Sequence, residues 1–329
     1  MDKIIGLGNA LVDALYRLGN DSVLEKLGLP KGSMQLIDDK KRSDIEEALC
    51  GLDNQLSTGG SAANAIFALS HLGATVGFVG KVGSDDMGNF FKQRLKSSGV
   101  EDRMLKSSDK SSGVALTLIS ADGERTFGTC LGASSDIMPE EISSESFKGY
   151  SYLFIEGYLV QDHDLIIRAM EIAKSIGMQV CLDMASYNIV NENKDLFQLL
   201  INKYVDVVFA NEEEAKAFSG KSGKGALEVL GGKCSIAVVK LGSRGSYVRK
   251  GTDVLEVEAV DVKDVIDTTG AGDYYAAGFM YGMTCGYSLE KCAKIGSLLA
   301  SNVIGVVGTT LPDTVWEEIK QKIDAISNE

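Results

Sequence analysis

The amino-acid sequence predicts an α/β protein with a doubly wound, mainly parallel sheet, helices on both of its faces, and a second, smaller β-sheet. From residue 150 onward, short apolar strands such as YLFIEG and SIAVVK alternate with helical segments. Such alternation is typical of a parallel sheet covered on both faces. Earlier in the chain, strands at 114–119 and 126–131 are joined by a turn at 121–123 with no helix between them. This arrangement indicates a separate small antiparallel sheet that also contains 33–37.

Length and composition are those of a globular protein. The chain has 329 residues, of which 44% are apolar and 24% charged, and this length permits one large α/β domain with additions or two domains. We expect a single domain over 1–329, into which the smaller sheet, built from about 10–18, 32–38 and 113–131, is inserted. No internal repeat or low-complexity tract interrupts the sequence.

Charge and residue usage disfavour several classes of function. The net charge of −13 disfavours nucleic acid, which binds basic surfaces. The sequence has neither an apolar run of about 20 residues nor a signal-peptide pattern at MDKIIGLGN, so we expect no membrane role and a cytoplasmic location. The six scattered cysteines form no CxxC pair and are expected to be reduced. The two histidines, His71 and His163, lack partners at metal-ligand spacing, and His71 is expected to pack on an apolar helix.

The first segment, KIIGLGNALVDALYRL, begins with a short buried strand at Ile4–Leu7. Gly6 and Gly8 resemble part of a dinucleotide-binding fingerprint, but Leu11 stands where the third glycine is required. Asp13 follows in an apolar setting, where an unpaired carboxylate is costly. Either a local hydrogen bond satisfies Asp13 or it binds a ligand hydroxyl.

A glycine-rich loop precedes the next helix. Residues 58–61 are expected to form this loop and 62–72 the helix, followed by a strand at Val76–Val79 and a second helix over 85–97. Gly59 and Gly60 allow close backbone approach, and the Asn64 amide can both donate and accept. These groups suit a polyhydroxylated ligand.

The second half supplies polar residues after strand ends, where open α/β sheets bind ligands. Its predicted segments are a helix over 163–176, the strand MQVCLDM, a helix over 193–203, the strand VDVVFA and a mainly helical stretch over 270–326. Asn211 and Glu214 follow VDVVFA at i, i+3. They could hold a hydrated Mg²⁺, or the helix could simply be solvated.

Two further glycine-containing stretches could approach a phosphate. KLGSRGSYV places Gly242 and Gly245 in a tight turn, which would pass under a nucleotide or form an ordinary hairpin. GKS at 220–222 imitates a phosphate-binding loop, but Ala215 stands where that loop requires glycine.

The stretch DTTGAGDYYAAGF, 267–279, carries the most specific chemistry. Gly270, Ala271 and Gly272 precede Asp273 at the expected start of a helix. A glycine-rich turn at a helix N-terminus binds anions through its free amides. Because a carboxylate there would repel a phosphate, Asp273 is interpreted as a base acting on the group that attacks the phosphate. The ordinary alternative is a helix cap.

Together these motifs resemble those of the ribokinase-like (phosphofructokinase-B type) family of ATP-dependent carbohydrate and nucleoside kinases. GGSAANAIFALSHLGATVGFVGKVGSDDMG is similar to the first signature of that family, and DTTGAGDYYAAGF to the second. NEEE matches its Asn-x-x-Glu pattern and KLGSRG its nucleotide loop. GNALVD, PKGSMQLID and GERTFGTCLGAS resemble the adenosine-kinase-like branch. Tyr274 and Tyr275 depart from the smaller or single-aromatic residues common after the aspartate.

The resemblance implies roles for individual residues. Asp273 would be the catalytic base, and the amides of Ala271, Gly272 and Asp273, with Gly270 permitting the turn, would form the anion hole. The acceptor would be held by Asp13, Gly59, Gly60 and Asn64, with Arg125 approaching the phosphates when the smaller sheet closes as a lid; by itself Arg125 would be a solvated charge. The ATP site would comprise Asn211, Glu214 (which holds Mg²⁺ through water), Lys240, Gly242, Gly245 and Asn302. Asp267 and Thr269, with the backbone near Gly308, match positions where some relatives bind a monovalent cation such as K⁺.

The resemblance also implies the reaction. The γ-phosphate of ATP would move to the hydroxymethyl group of a ribosyl substrate, foremost a nucleoside such as adenosine. A sugar kinase acting on ribose, fructose or 2-keto-3-deoxygluconate is the alternative, since Ser61 and Glu156 stand where sugar kinases often place polar substrate contacts. The remaining alternative is a non-catalytic relative that binds a nucleotide or a sugar. The protein would be a monomer or a homodimer formed through the lid.

Overall fold

The structure is a computed structural model, and it describes residues 2–329. Its strands are β1 (Ile4–Leu7), β2 (Leu11–Arg17), β3 (Met34–Leu36), β4 (Asn54–Gly59), β5 (Val76–Val79), β6 (Lys81–Val82), β7 (Glu101–Asp102), β8 (Leu105–Lys106), β9 (Gly113–Ile119), β10 (Arg125–Cys130), β11 (Tyr152–Glu156), β12 (Gln179–Asp183), β13 (Val207–Asn211), β14 (Ile236–Lys240), β15 (Ser246–Lys250) and β16 (Asp253–Val257). Its helices are α1 (Ser22–Leu27), α2 (Asp39–Ala48), α3 (Ser61–His71), α4 (Asp86–Ser97), α5 (His163–Ser175), α6 (Tyr187–Glu192), α7 (Lys194–Lys203), α8 (Glu212–Ser219), α9 (Gly223–Gly231), α10 (Ala271–Thr284), α11 (Leu289–Val303) and α12 (Asp313–Asn328).

The larger sheet has nine strands in the order β16-β15-β14-β13-β12-β11-β1-β5-β7. The seven strands β14, β13, β12, β11, β1, β5 and β7 are parallel to one another, and β15 and β16 extend the sheet antiparallel. Alternate side chains of these strands enter two separate cores: Ile4 and Phe209 pack with α3, α10, α11 and α12, whereas Ile5 and Val208 pack with α5, α7, α8 and α9. Burial on both faces explains why the central strands, such as β1 and β5, are continuously apolar. The predicted doubly wound α/β fold is confirmed.

The smaller sheet has five strands in the order β3-β10-β9-β2-β4. We call it the lid sheet. Leu24 of α1 and Ile45 of α2 pack with Leu116 on one of its faces, and by strand alternation Asp13 lies on the opposite face.

Two details of the lid sheet differ from the expectation. Two of its four strand pairs, β3 with β10 and β2 with β9, are parallel and not antiparallel. The fifth strand, β4, was not predicted, and Thr58 and Gly59, assigned to a loop, are its last residues. The polar sequence NQLSTG has no apolar alternation because β4 is an edge strand that buries little side-chain area.

Helix positions agree closely with the sequence. The helices predicted over 62–72, 85–97, 163–176 and 193–203 correspond to α3, α4, α5 and α7, with ends that differ by at most one residue. Within residues 2–329, no helix is both long and apolar enough to cross a bilayer.

The parallel strands bring four polar residues to one edge of the larger sheet. Glu156, Asp183, Asn211 and Lys240 are the last residues of β11, β12, β13 and β14, which are neighbours in the sheet. In the register, Glu156 lies beside Asp183 and Asn211 beside Lys240. The carboxyl edge of a doubly wound sheet is the usual place for a ligand.

Candidate active site

Helix α10 begins at a left-handed glycine. Gly270 has φ of +75° and is the residue before the helix, a conformation that strains any residue with a Cβ. The first intrahelical bond is donated by Tyr274 N to Gly270 O at 2.9 Å, so the amides of Gly272 and Asp273 before it are available to a ligand. Ala271 N, which was expected to join them, already donates a long bond of 3.3 Å to Thr268 O.

The Asp273 carboxylate is bound by two side chains from the start of α3. Ser61 Oγ donates to Oδ1 at 2.7 Å and Asn64 Nδ2 donates to Oδ2 at 2.9 Å. No side chain caps α10, so the interpretation of Asp273 as a helix cap is wrong. The N-termini of α3 and α10 therefore meet at this carboxylate.

The surroundings of Asp273 raise the pKa of its carboxyl group. Burial raises the pKa of Asp273 to about 6, with a further increase from the nearby Asp183. The hydrogen bonds from Asn64 and Ser61 and the charge of Lys240 oppose that increase. A carboxylate that gains and loses its proton near neutral pH is suited to general-base work.

Asn64 is fixed in turn by the loop that follows α11. Thr309 Oγ1 donates to Asn64 Oδ1 at 3.1 Å, and Tyr274 OH donates to the carbonyl oxygen of Thr309 at 2.5 Å. Tyr275, the second residue of the unusual tyrosine pair, shares a hydrogen bond of 2.7 Å with Ser246 Oγ. Both tyrosines are buried, and their hydroxyl groups hold neighbouring segments in place.

A cavity of about 760 Å³ opens beside Asp273. Among the residues that line it are Ser61, Asp183, Asn211, Glu214, Lys240, Gly242, Gly245, Gly270, Gly272, Ser297, Ala300 and Ser301. The structure thus brings most of the predicted nucleotide-site residues together. Asn302 is not among them: its Nδ2 donates to Leu298 O at 2.7 Å within its own helix. The wall there is made by Ser297, Ala300 and Ser301 instead.

Asn211 and Glu214 form a reciprocal capping box at the start of α8. Glu214 N donates to Asn211 Oδ1 at 2.9 Å, while Asn211 N and Nδ2 donate to the Glu214 carboxylate at 2.7 and 2.6 Å. Only 2% of Glu214 is exposed, and burial together with the charge of Asp183 raises its pKa above the ordinary value. The cap fixes the direction of a carboxylate on the cavity wall.

Sequence reasoning missed Asp183. Its carboxylate accepts a hydrogen bond of 2.7 Å from Lys240 Nζ, and both side chains line the cavity. The available signal was position alone: Asp183 lies near the end of the segment MQVCLDM and is the last residue of β12, just as Asn211 and Lys240 are the last residues of β13 and β14. Burial would lower the pKa of Lys240, but the charges of Asp183 and Glu214 outweigh it and raise that pKa.

Asp13 lies on β2 opposite the end of β4. A Cβ on Gly59 would come within 2.6 Å of both carboxylate oxygens of Asp13, so a larger residue at position 59 would displace this carboxylate. No group of residues 2–329 donates a hydrogen bond to this carboxylate; burial and the charge of Asp267 raise its pKa to about 7. The local hydrogen bond that would have satisfied Asp13 is therefore not found, and its oxygens are available to a ligand hydroxyl.

Arg125 of the lid sheet forms an ion pair with Asp267. The same carboxylate accepts bonds from Gly308 N at 2.7 Å and from Thr269 N and Oγ1 at 3.1 and 2.8 Å. Although burial raises the pKa of Asp267, these bonds lower it below its ordinary value. Arg125 is not the solvated charge of the ordinary interpretation, since 18% of its side chain is exposed.

Two other residues have packing roles. Glu156 is 1% exposed and accepts bonds from Asn9 N and Nδ2 at 2.9 and 2.6 Å and from Ala62 N at 2.8 Å. It therefore ties the turn after β1 to the start of α3. His71 stacks on Trp316 with 4.8 Å between ring centroids, as expected for a packed histidine.

Comparison with known proteins gives consistent matches. The model of the pfkB family of carbohydrate kinases matches residues 32–316. A 5-dehydro-2-deoxygluconokinase from Listeria monocytogenes serotype 4b is 29% identical over 280 residues, which cover 80% of this chain and 86% of the relative. A probable sugar kinase from Rhizobium etli is 30% identical with a TM-score of 0.86, covering 98% of both chains. The adenosine kinase from Sinorhizobium meliloti is 33% identical with a TM-score of 0.85, covering 98% of this chain and 99% of that one.

Proposed function

The chain belongs to the pfkB family of carbohydrate kinases and is an ATP-dependent kinase, and from that premise we propose that its acceptor is a nucleoside, adenosine foremost. The γ-phosphate would pass to the hydroxymethyl group of the ribose. The observation that carries the phosphoryl transfer is the Asp273 carboxylate, held by Ser61 and Asn64 at the N-terminus of α10.

Each part of the reaction has a group suited to it. Asp273 takes the proton of the attacking hydroxyl, and the amides of Gly272 and Asp273 receive the negative charge of the transferred group. Asp13 and Gly59 hold ribose hydroxyls from the lid sheet. Closure of this sheet excludes the water that would otherwise accept the phosphate.

The choice of a nucleoside is supported by the apolar face of the lid sheet. Met34 and Leu36 are each 60% exposed on β3, and Met34 is paired with Phe127 of β10 in the register. An exposed apolar patch on a closing element favours a ligand with a flat apolar part, such as a purine base. The similarity to the adenosine kinase from S. meliloti, 33% identical, agrees with this choice.

A sugar acid such as 2-keto-3-deoxygluconate is the second candidate acceptor. A cavity of about 480 Å³ lies between the lid sheet, α4 and residues 307–310. Arg17 and Arg94 line it beside Thr309, and no carboxylate residue does. Two arginines favour a ligand with a carboxylate. The 5-dehydro-2-deoxygluconokinase relatives support this alternative.

The cavity beside Asp273 has side chains suited to ATP with Mg²⁺. Glu214 and Asp183 place two carboxylates on its wall, and Mg²⁺, which usually keeps most of its waters, needs few protein oxygens. When bound, Mg²⁺ would offset phosphate charge. At Asp267, in contrast, Arg125 already provides a positive charge, so we propose that this chain works without K⁺.

The test is ADP release with ATP and Mg²⁺ across adenosine, inosine, guanosine, ribose, fructose and 2-keto-3-deoxygluconate. Strong turnover with adenosine and none with the sugars is the expected result. Turnover with the sugar acid alone would overturn the nucleoside proposal and leave the assignments around Asp273 intact. In that case Arg17→Met and Arg94→Met should raise KM for the sugar acid.

A further inference from the structure

The ammonium group of Lys240 lies between a buried carboxylate and the start of α10. Lys240 Nζ is 2.7 Å from Asp183 Oδ2, and only 13% and 7% of the two side chains are exposed. A methyl group on Gly272 would lie 3.0 Å from the same Nζ. Gly272 belongs to the turn whose amides are available to an anion. The ammonium is therefore part of the anion site.

A buried ion pair alone is weak evidence of function, but the segment around Asp183 carries a second sign. Asp183 Oδ1 accepts a bond of 3.0 Å from Ala185 N. Ala185 has φ of +67°, and within residues 2–329 it is the one residue other than glycine with a positive φ. Backbone strain of this kind persists where the surrounding structure demands it, and it is concentrated at functional sites. The strained turn fixes the Asp183 carboxylate beside Lys240.

We propose that Asp183 is a positioning residue that holds the Lys240 ammonium at the anion site, where Lys240 acts as a catalytic residue by offsetting charge on the transferred phosphoryl group. This inference rests on the proposed phosphoryl transfer at Asp273. In that step the acceptor oxygen bonds to the γ-phosphorus, the bond from that phosphorus to the bridging oxygen breaks, and the hydroxyl proton passes to Asp273. ADP leaves with the bridging electron pair, and Lys240 keeps its proton throughout.

Lys240 also acts electrostatically on the base Asp273, in addition to its expected attraction for phosphate. The charge of Asp273 raises the pKa values of the nearby Glu156 and Glu214, while Asp183 and Lys240 are the charged groups that act on Asp273 itself. Asp183 raises the pKa of Asp273 and Lys240 lowers it. Removal of Asp183 should therefore lower the pKa of Asp273, and removal of Lys240 should raise it. Loss of packing alone would not produce opposite shifts.

The first measurement uses a transition-state mimic and needs no acceptor. Binding of ADP with Mg²⁺ is compared by calorimetry with and without aluminium fluoride, which imitates the phosphoryl group in transfer. Lys240→Met is expected to weaken the fluoride complex by about 10²–10³-fold, the usual effect of removing one preorganised donor, while the affinity for ADP alone falls much less. Asp183→Asn should give a smaller loss with the same selectivity.

The double variant Asp183→Asn/Lys240→Met decides whether Asp183 acts through Lys240. If it does, the double variant binds the mimic no worse than Lys240→Met alone. Additive losses would overturn the positioning role. The double variant also removes both charges, so it leaves no unpaired buried group if a single variant fails to fold. Lys174→Met is the matched control, because Lys174 and Asp206 form another pair at 2.7 Å that lies outside the cavity lining.

The second measurement is the pH dependence of kcat/KM, which reports pKa values of the free enzyme, with whichever acceptor the wild-type protein phosphorylates. In Lys240→Met the acid limb should move to higher pH, and in Asp183→Asn to lower pH. Equal losses for ADP and for the mimic, or acid limbs that stay in place, would overturn the proposal. Failure of adenosine as an acceptor affects neither measurement. The nucleoside proposal and the proposed role of Lys240 can therefore fail separately.

Discussion

Arg125 of β10 and Asp267 of the loop before α10 form an ion pair that links the lid sheet to the anion site. Only 18% and 8% of the two side chains are exposed. Asp267 also accepts bonds from Thr269 and Gly308, so one carboxylate holds three segments together. The lid sheet is thereby attached to the turn that positions Gly270.

Arg125→Met should loosen this attachment. We expect kcat for the acceptor to fall by roughly tenfold, because a lid that closes less completely orients the reactants poorly and admits water. ATP hydrolysis without acceptor should rise relative to acceptor phosphorylation. ADP release with and without acceptor measures both, and Lys31→Met is the control, because it removes an ion pair with Asp122 in the turn between β9 and β10 of the same sheet. An unchanged ratio would show that the pair does not govern closure.

The same pair makes a prediction about monovalent cations. Because the Arg125 guanidinium already offsets the charge of Asp267, turnover should be equal in potassium chloride and in choline chloride at the same ionic strength. Arg125→Met should become dependent on K⁺, since its Asp267 lacks that partner. Several-fold activation of the wild-type protein by K⁺ would contradict the assignment and restore the cation site expected from sequence.

Asp273→Asn tests the base directly. We expect kcat to fall by about 10²–10⁴-fold, the usual contribution of general acid–base catalysis. Binding of ATP and acceptor, measured by calorimetry, should change little because the amide keeps the size of the carboxylate. Asp253→Asn, on an exposed strand end, provides the control. Turnover that survives in Asp273→Asn would remove Asp273 from the role of base.

The pH dependence follows from the environment of the same carboxylate. Burial raises the pKa of Asp273 to about 6, and a base must be ionised to accept a proton. Turnover should therefore be full above this pH and decline as the pH falls through about 6. Ser61→Ala removes a hydrogen bond that lowers this pKa, so its acid limb should move to higher pH. An acid limb near the ordinary carboxylate pKa, unmoved in Ser61→Ala, would contradict this account.

Sequence reasoning predicted features that have a local or periodic signal. Strand–helix alternation predicted the larger sheet, and the glycine spacing of 267–279 predicted a turn at the start of α10. It missed features that exist only through contact between distant segments. Asp183 carries no motif, and its relation to Lys240 across 57 residues comes from adjacent strand ends. The Arg125–Asp267 pair spans 142 residues, which is why both residues were assigned to ligands instead of to each other.

Asn302 and β4 were misjudged for local reasons. The Asn302 amide turns back to its own helix, because a carbonyl four residues earlier is within reach and the cavity wall is formed by the other face of α11. Strand β4 has a polar sequence, so periodicity could not distinguish it from a loop. The direction of the Asn302 side chain and the edge position of β4 both depend on the folded structure, and neither has a signal in the local sequence.

Glu156 provides the last prediction, on stability. Its two carboxylate oxygens accept three N–H bonds, from Asn9 and Ala62, in a site where 1% of the residue is exposed. In Glu156→Gln the amide NH₂ must face at least one of those donors, which then remains buried without an acceptor. Such a loss costs about 1–3 kcal/mol, so the free energy of unfolding should fall by that amount in urea denaturation. Glu171→Gln is the control, since this carboxylate accepts from Tyr204 at a more exposed site. Equal stability of the two variants would contradict this account of the bonds from Asn9 and Ala62.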